Sequence, residues 1–157
     1  HDELKVGDLV RLSGPYGTFI GDPAVNTPVL CIAAGSGLAP ILSLADAALR
    51  RGFSAPVALV FSARTKEDVY DFGLMAYWQM KHRNFRFIPT LTREQAPGMQ
   101  HGRVPDVLPR LFPDLSAYSI FAAGSPAFVD ACVATAKTLG AKDELLHTEG
   151  FFSQDIA

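Results

Sequence analysis

The sequence has little cysteine, no long apolar run and almost no net charge. Its two cysteines, Cys31 and Cys132, lie in apolar contexts outside any Cys-x-x-Cys or Cys/His pattern, so they predict buried thiols and no metal site. No stretch approaches the about 18 consecutive apolar residues that favour a membrane span. The formal net charge of −2 gives no electrostatic reason to expect nucleic acid as a partner.

The composition is typical of a globular protein. Of the 157 residues, 48% are hydrophobic, which is enough for a substantial core in one domain, or in one domain with part of another. The opening residues H-D-E-L-K do not form a secretory signal. We therefore expect a cytoplasmic protein that binds neither a membrane nor nucleic acid.

The stretch at residues 28–42, P-V-L-C-I-A-A-G-S-G-L-A-P-I-L, combines a strand, a glycine turn and a helix. The apolar run Val29–Ala34 is typical of a central strand buried on both faces of a parallel sheet. Glycines 35 and 37 permit a tight turn, and a helix is predicted over residues 38–51. The free amides of its first turn would point at an anion, which favours phosphate binding.

This turn alone leaves the function open. It reads G-x-G-x-x-P, so it lacks the third glycine of the usual dinucleotide fingerprint and the Lys-Ser/Thr of a P-loop. A βα turn that binds no ligand fits the same residues.

Strands and helices alternate along the rest of the chain. Strands are predicted at residues 57–62, 85–91, 118–123 and 144–148, and the second has the alternation of a sheet edge. Helices are predicted at residues 66–82, 104–111 and 127–139. The alternation predicts an α/β fold with a five-stranded parallel sheet and helices on both faces.

The first residues follow another pattern. Residues 4–12 alternate apolar and polar side chains around a turn at Gly7-Asp8, as in a small antiparallel β domain. A lone hairpin is at best marginally stable in water. We therefore expect the chain to begin inside a larger protein, with a polar, proline-punctuated junction at residues 21–28.

The ordered motifs G-P-Y-G, A-G-S-G-L-A-P, S-A-R-T, T-R-E, A-G-S-P and E-G-F resemble the ferredoxin–NADP reductase superfamily. The nearest likeness is to flavin reductase components of ring-hydroxylating and related bacterial oxygenases. The resemblance implies a Rossmann-like NAD(P)-binding domain of the ferredoxin reductase type at residues 25–157. It also implies that residues 1–24 are a short β remnant of an FAD-binding barrel.

The resemblance further implies an activity and partners. In such reductases NAD(P)H gives a hydride to FAD, and electrons pass on to a [2Fe-2S] centre in a fused domain or a separate ferredoxin. That centre serves an oxygenase component. No side chain of this domain then has to act as an acid or base, so no catalytic residue is assigned, and binding and orientation are the protein's contribution.

Candidate cofactor-binding residues follow from the same motifs. The segment resembling the pyrophosphate and nicotinamide site comprises Gly35, Ser36, Gly37, Leu38, Ala39 and Pro40. The segments resembling the adenosine ribose site contribute Ser62, Arg64, Thr92 and Arg93. The nicotinamide flank and the C-terminal motif contribute Gly124, Ser125, Pro126, Glu149 and Phe151. The segment resembling the flavin side comprises Gly14, Pro15, Tyr16 and Gly17.

Two features depart from the family pattern. Ala123 stands where the family has a cysteine before Gly-x-Pro, which removes one contact to the nicotinamide. The Arg-x-Tyr-Ser/Thr signature of the flavin site is absent from the sequence. The second departure is the reason to interpret the chain as the C-terminal part of a longer flavoprotein.

The charges leave the choice of nucleotide open. Arg64, Arg93 and Arg103 follow predicted strand ends, where open α/β sheets bind ligands, and guanidinium groups suit the 2′-phosphate of NADPH. Carboxylates after Arg64 would favour NADH by binding the 2′-hydroxyl and repelling a phosphate; these are Glu67, Asp68 and Asp71. Solvated surface charge fits the same residues.

Two other functions fit part of the sequence. A nucleotide-binding α/β module without catalysis would share the fold and the glycine turn. An unrelated α/β dehydrogenase is disfavoured: it would need a substrate-side acid/base pair, and the spacing Tyr-x-x-x-Lys occurs only at Tyr77 and Lys81, among the apolar residues of the helix predicted at 66–82. Phe151 and Phe152 after the last strand predict an apolar patch that docks on another surface, and the family resemblance implies that this surface is the flavin domain.

Overall fold

The computed structural model describes residues 5–11, 13 and 26–151. Its strands are β1 (Val29–Ala34), β2 (Val57–Ala63), β3 (Phe85–Leu91), β4 (Gln100–His101), β5 (Ser119–Gly124) and β6 (Leu146–Gly150). Its α-helices are α1 (Leu38–Arg50), α2 (Phe72–Lys81), α3 (Val104–Leu111) and α4 (Pro126–Thr138). Short 3₁₀ turns occupy Gly35–Gly37, Lys66–Asp68 and Asp143–Leu145.

The strands form one sheet in the order β4-β3-β2-β1-β5-β6, and every pairing is parallel. The chain builds outward from β1 through β2 and β3 to β4, then returns to the other side of β1 for β5 and β6. The order therefore reverses between β1 and β5. In open α/β sheets, ligands bind at the carboxyl ends of the strands beside such a switch point.

The central strand separates two cores, as expected for a strand buried on both faces. Cys31 and Ala33 face the core under α1 and α2, whereas Leu30 and Ile32 face the core under α3 and α4. All four side chains are at most 1% exposed. The continuous apolar run in the sequence follows directly from this position.

The α/β fold with a parallel sheet and a central β1 is confirmed, and the structure adds the two-residue strand β4 to the five predicted strands. The predicted helix at 66–82 is wrong in its first part. Thr65 and Asp68 cap a separate 3₁₀ turn, and Asp71 adopts the left-handed conformation (φ 54°), so α2 begins only at Phe72. The last strand likewise begins after the turn Asp143–Leu145 rather than at Glu144.

The prediction of β structure in residues 4–12 is not met in the described part of that segment. Residues 5–11 contain a turn, closed by the Asp8 amide on the Lys5 carbonyl (3.1 Å), and no strand. Gly14, Pro15, Tyr16 and Gly17 lie outside the described residues, so the flavin-barrel remnant remains a prediction. In the part of the chain that the structure describes, no helix has the length and apolarity to cross a bilayer.

Candidate functional site

The predicted pyrophosphate and nicotinamide segments meet at the switch point. The turn Gly35–Gly37 follows β1, and Ser125 follows the neighbouring β5. A Cβ atom added to Gly37 would lie 2.2 Å from the Ala123 carbonyl oxygen, so the turn lies directly against the end of β5. Only glycine permits this approach.

Gly35 and Gly124 shape the rim of the same crevice. Gly35 has φ +52° with nothing within 4 Å of a built Cβ, so the turn needs a left-handed residue and leaves open space beside it. A Cβ on Gly124 would meet the Phe128 ring at 2.8 Å and the Ala34 carbonyl oxygen at 3.3 Å. These glycines leave a backbone-lined cradle of the kind that an extended phosphate-containing ligand fits.

The C-terminal motif also reaches the crevice. In the β5–β6 pairing Glu149 lies opposite Ala123, and Gly150 lies opposite Gly124. The Phe151 amide donates to the Gly124 carbonyl (2.8 Å), which fixes this backbone beside β5. Phe151 is 37% exposed, so its ring remains available to a partner surface.

The predicted ribose segments meet at the carboxyl ends of β2 and β3, on the side of β1 away from β5. The Thr92 amide donates to the Ala63 carbonyl (3.0 Å) and the Arg93 amide donates to the Arg64 carbonyl (2.9 Å), so the pairing of β2 with β3 continues past both strand ends. Ser62, opposite Ala34 in the β1–β2 pairing, is partly exposed at the same edge.

Arg103 joins this edge from β4. The Gly102 amide donates to the Leu91 carbonyl (2.9 Å), which brings Arg103 past the end of β3. Arg64, Arg93 and Arg103 are all exposed. Among the described residues the ion pairs are Arg50–Asp46 and Lys137–Asp143, so the three guanidinium groups at this edge are not neutralised by a direct carboxylate partner.

Two carboxylates nevertheless lie in the same loops. Asp68 accepts from the Thr65 amide (3.0 Å) and hydroxyl (2.9 Å), and Glu94 accepts from the Lys66 amide. The Thr65 hydrogen bonds, and secondarily the charges of Arg64 and Arg93, hold the pKa of Asp68 below its ordinary value. The predicted ribose site, at the ends of β2, β3 and β4, therefore combines the three arginines with two carboxylates that are held by hydrogen bonds.

The structure adds Tyr70, which the sequence analysis did not select as a site residue and placed only within the helix predicted at residues 66–82. The Tyr70 hydroxyl donates to the Gly35 carbonyl (2.6 Å) and so links the β2–α2 loop to the glycine turn. The contact joins residues 35 positions apart, so no local pattern in the sequence indicates it.

Three of the predicted site residues could offer only backbone groups to a ligand. Leu38 is fully buried in the core under α1, so its side chain packs inward while its amide closes the glycine turn. Ala39 and Pro40 lie in the first turn of the same helix and have no polar side chains.

Cys31 and Cys132 lie in the two cores, where burial raises the pKa of each thiol to about 12 and keeps it protonated.

The chain is similar in sequence to reductase components of bacterial oxygenase systems. The reductase component of the naphthalene 1,2-dioxygenase/salicylate 5-hydroxylase systems of Ralstonia sp. is 33% identical over 156 residues, which are 99% of this chain and 48% of that protein. The reductase subunit of an aromatic O-demethylase from Amycolatopsis sp. is 34% identical, over 96% of this chain and 46% of its own length. The chain thus spans about half the length of the curated relatives it matches.

Solved structures agree with the sequence relatives. A cytochrome P450 reductase from Amycolatopsis superposes with a TM-score of 0.90 at 34% identity, covering 96% of this chain and 46% of that one. A ferredoxin reductase of carbazole 1,9a-dioxygenase superposes with a TM-score of 0.76 at 27% identity, covering 88% and 42%. The family of oxidoreductase NAD-binding domains matches residues 31–134, from within β1 into α4. The chain therefore belongs to the oxidoreductase NAD-binding domain family and has the fold of the ferredoxin reductases.

Proposed function

We propose that this chain binds NAD(P)H at the carboxyl edge of its sheet and presents the nicotinamide to a flavin. One observation carries the proposal: the turn Gly35–Gly37, the end of β5 and the backbone of Phe151 converge at the switch point. Extended dinucleotides bind across that position in open α/β sheets. The edge continues from there to the arginines after β2, β3 and β4.

Different segments along this edge bind different parts of the nucleotide. The glycine turn offers backbone amides to the pyrophosphate, and the loops that carry Arg64 and Arg93 receive the adenosine ribose. Gly124, Ser125 and Pro126 flank the nicotinamide, with Glu149 and Phe151 beside them. The bound nucleotide supplies a hydride to FAD, while the protein binds, orients and excludes water.

We extend the proposal to the whole protein. The relatives are named as ferredoxin–NAD(P)⁺ reductase components of dioxygenase and hydroxylase systems and as a reductase subunit of an O-demethylase. By that relationship, this domain works with an FAD domain of the same protein. Electrons then leave through a [2Fe-2S] centre, fused or separate, for an oxygenase component.

We further propose that NADH is the preferred nucleotide. Asp68 is held in place by Thr65 and lies close enough to Arg64 and Arg93 for their charges to lower its pKa. Glu94, bound to the Lys66 amide, adds a second carboxylate to the same pair of loops. Both anions would oppose a 2′-phosphate, and either could accept a hydrogen bond from a 2′-hydroxyl.

A calorimetric titration of this chain with ADP-ribose and with 2′-phospho-ADP-ribose tests both proposals. We expect ADP-ribose to bind and the phosphorylated form to bind more weakly. Tighter binding of the phosphorylated form would reverse the preference, and no binding of either would contradict nucleotide binding.

A pair of matched variants locates the site. Gly35→Asn keeps a residue that tolerates the left-handed conformation and adds a side chain at the cradle, so it should weaken ADP-ribose binding. Gly52→Asn makes the same change at φ +73° after the C-terminus of α1, with nothing within 4 Å of the built Cβ, and should leave the affinity unchanged. Equal affinities of the two variants would place the ligand elsewhere.

A further inference from the structure

The carbonyl of Gly35 is a shared acceptor in the glycine turn. It receives the Leu38 amide, which closes the 3₁₀ turn, and the Tyr70 hydroxyl at 2.6 Å. The first bond is local, whereas the second comes from the loop after β2. Tyr70 therefore adds a tertiary restraint to a short turn that the Leu38 amide closes locally, by donating to the Gly35 and Ser36 carbonyls.

The Tyr70 side chain is itself held from several directions. Its ring packs edge-on against Phe61 of β2, with centroids 5.4 Å apart and planes at 82°. Its amide donates to the Asp68 carbonyl (3.1 Å), and the next residue, Asp71, adopts φ 54°. A left-handed non-glycine residue is unfavourable, so the surrounding contacts must maintain this loop conformation.

The hydroxyl is suited to a lasting donor role. Burial, and then the negative charge of Asp71, raises the pKa of Tyr70. The phenol consequently remains protonated at neutral pH and can donate to a carbonyl, which accepts only.

The planar peptide bond transmits this restraint to the ligand side of the turn. In a trans peptide the C=O and the following N–H point in opposite directions. When Tyr70 and Leu38 hold the Gly35 carbonyl, they also fix the direction of the Ser36 amide, away from Tyr70. A fixed amide binds an anion without first losing rotational freedom.

We propose that Tyr70 is a positioning residue that holds the glycine turn ready for the pyrophosphate of the nucleotide. The proposal rests on the proposed binding of NAD(P)H at this edge. It also connects the proposed ribose site to the proposed pyrophosphate site. The loop between β2 and α2 carries Arg64 and Asp68, and the same loop carries Tyr70, which binds the Gly35 carbonyl.

The test uses Tyr70→Phe, which retains the ring packed on Phe61 and removes the hydroxyl alone. Tyr77→Phe is the matched control, because Tyr77 is exposed on α2 and its ring contacts Lys81 of the same helix. Calorimetry with ADP-ribose and with 5′-AMP compares a ligand that has the whole pyrophosphate with one that has half of it.

We expect Tyr70→Phe to weaken ADP-ribose binding about three- to tenfold, the range of one hydrogen bond, and to change 5′-AMP binding less than about twofold. Tyr77→Phe should change neither. Equal losses for both ligands would indicate general damage to the loop and overturn the positioning role. Unchanged binding of ADP-ribose would also overturn it.

Hydrogen exchange provides a readout that needs no nucleotide. The Leu38 amide shares the Gly35 carbonyl with Tyr70, so it should exchange faster in Tyr70→Phe than in the parent chain or in Tyr77→Phe. An unchanged rate would overturn the restraint itself. If the parent chain bound no ADP-ribose, the proposed function would fail while this measurement still decided whether Tyr70 holds the turn.

Discussion

Gly37 lies so close to the carbonyl of Ala123 that a Cβ atom at position 37 would be 2.2 Å from that oxygen. The same Cβ would be 2.4 Å from the Ala123 carbonyl carbon and 2.6 Å from the Gly124 amide nitrogen. All three are backbone atoms of a central strand, which cannot move aside as a flexible side chain can. The glycine turn and the end of β5 therefore form one rigid unit at the switch point.

Gly37→Ala should both destabilise the domain and displace the turn. Overpacking of a tight site costs about 1–3 kcal/mol, and movement of the turn should lower the affinity for ADP-ribose. Urea unfolding measures the first effect and calorimetry measures the second.

Gly73→Ala is the control for this prediction. Gly73 lies in the first turn of α2, has no positive φ and has nothing within 4 Å of a built Cβ. Alanine there should raise the free energy of unfolding, by at most the about 0.5–1 kcal/mol that separates the two residues in helices. If Gly37→Ala behaved like Gly73→Ala, the close approach to Ala123 would be wrong.

The sequence could predict this part of the molecule because its signals are local. The apolar run of β1, the two glycines and the following helix are contiguous, so fold class and turn follow from one stretch. The link from Tyr70 to Gly35 could not be predicted in this way, because the two residues come together only when β2 pairs with β1. The roles of the candidate residues in binding a nucleotide stay predictions.

Gln79 should protect the open edge of the sheet. Beyond its pairing with β4 at Thr90 and Leu91, β3 has no neighbour on its outer side among the described residues. The outward amide of Phe87 donates to the Gln79 side-chain oxygen (2.7 Å). Gln79→Ala should lower stability by about 1 kcal/mol and promote concentration-dependent association through the freed edge.

Gln79→Glu provides the control because a carboxylate can still accept from the Phe87 amide. The neighbouring outward positions are already protected, since the Phe85 amide donates to the His82 carbonyl (3.0 Å) and Pro89 has no N–H. Light scattering across a concentration series distinguishes the variants. Association of Gln79→Glu equal to that of Gln79→Ala would assign the effect to something other than the lost acceptor.

His147 should make part of the stability depend on pH. Its ring stacks on Phe121, with centroids 4.6 Å apart and planes at 17°, and burial holds its pKa below the ordinary value of 6.5. Between the folded and unfolded pKa values the unfolded chain binds more protons, so stability falls as the pH drops below about 6.5. Urea unfolding at pH 7.5 and at pH 5 should show this loss.

His147→Phe retains a flat ring opposite Phe121 and removes the titration. Its unfolding free energy should therefore fall less between the two pH values than that of the parent chain. An identical fall in both proteins would show that other groups account for the acid sensitivity.

The loop before α2 shows why hydrophobic pattern alone misplaced a helix start. Val69, Tyr70 and Phe72 extend the apolar pattern of the helix backward, which predicted one element over residues 66–82. In the structure the Thr65–Asp68 hydrogen bonds stabilise a separate turn, and Asp71 adopts the left-handed conformation that interrupts the helix. Side-chain hydrogen bonds of threonine and aspartate compete locally with helix formation, and apolar spacing does not report them.

Asp68→Asn should shift the nucleotide preference toward the 2′-phosphorylated form. Removing one negative charge beside Arg64 and Arg93 should raise the affinity for 2′-phospho-ADP-ribose relative to ADP-ribose about two- to fivefold, since charges at an exposed edge interact weakly. The shift should shrink at high salt, which screens such charges. Asp114→Asn is the matched control: Asp114 also accepts a loop amide, from Ser116 (2.8 Å), but lies before β5, at the opposite end of the sheet. A ratio that moved equally in both variants, or that did not respond to salt, would contradict a local electrostatic role for Asp68.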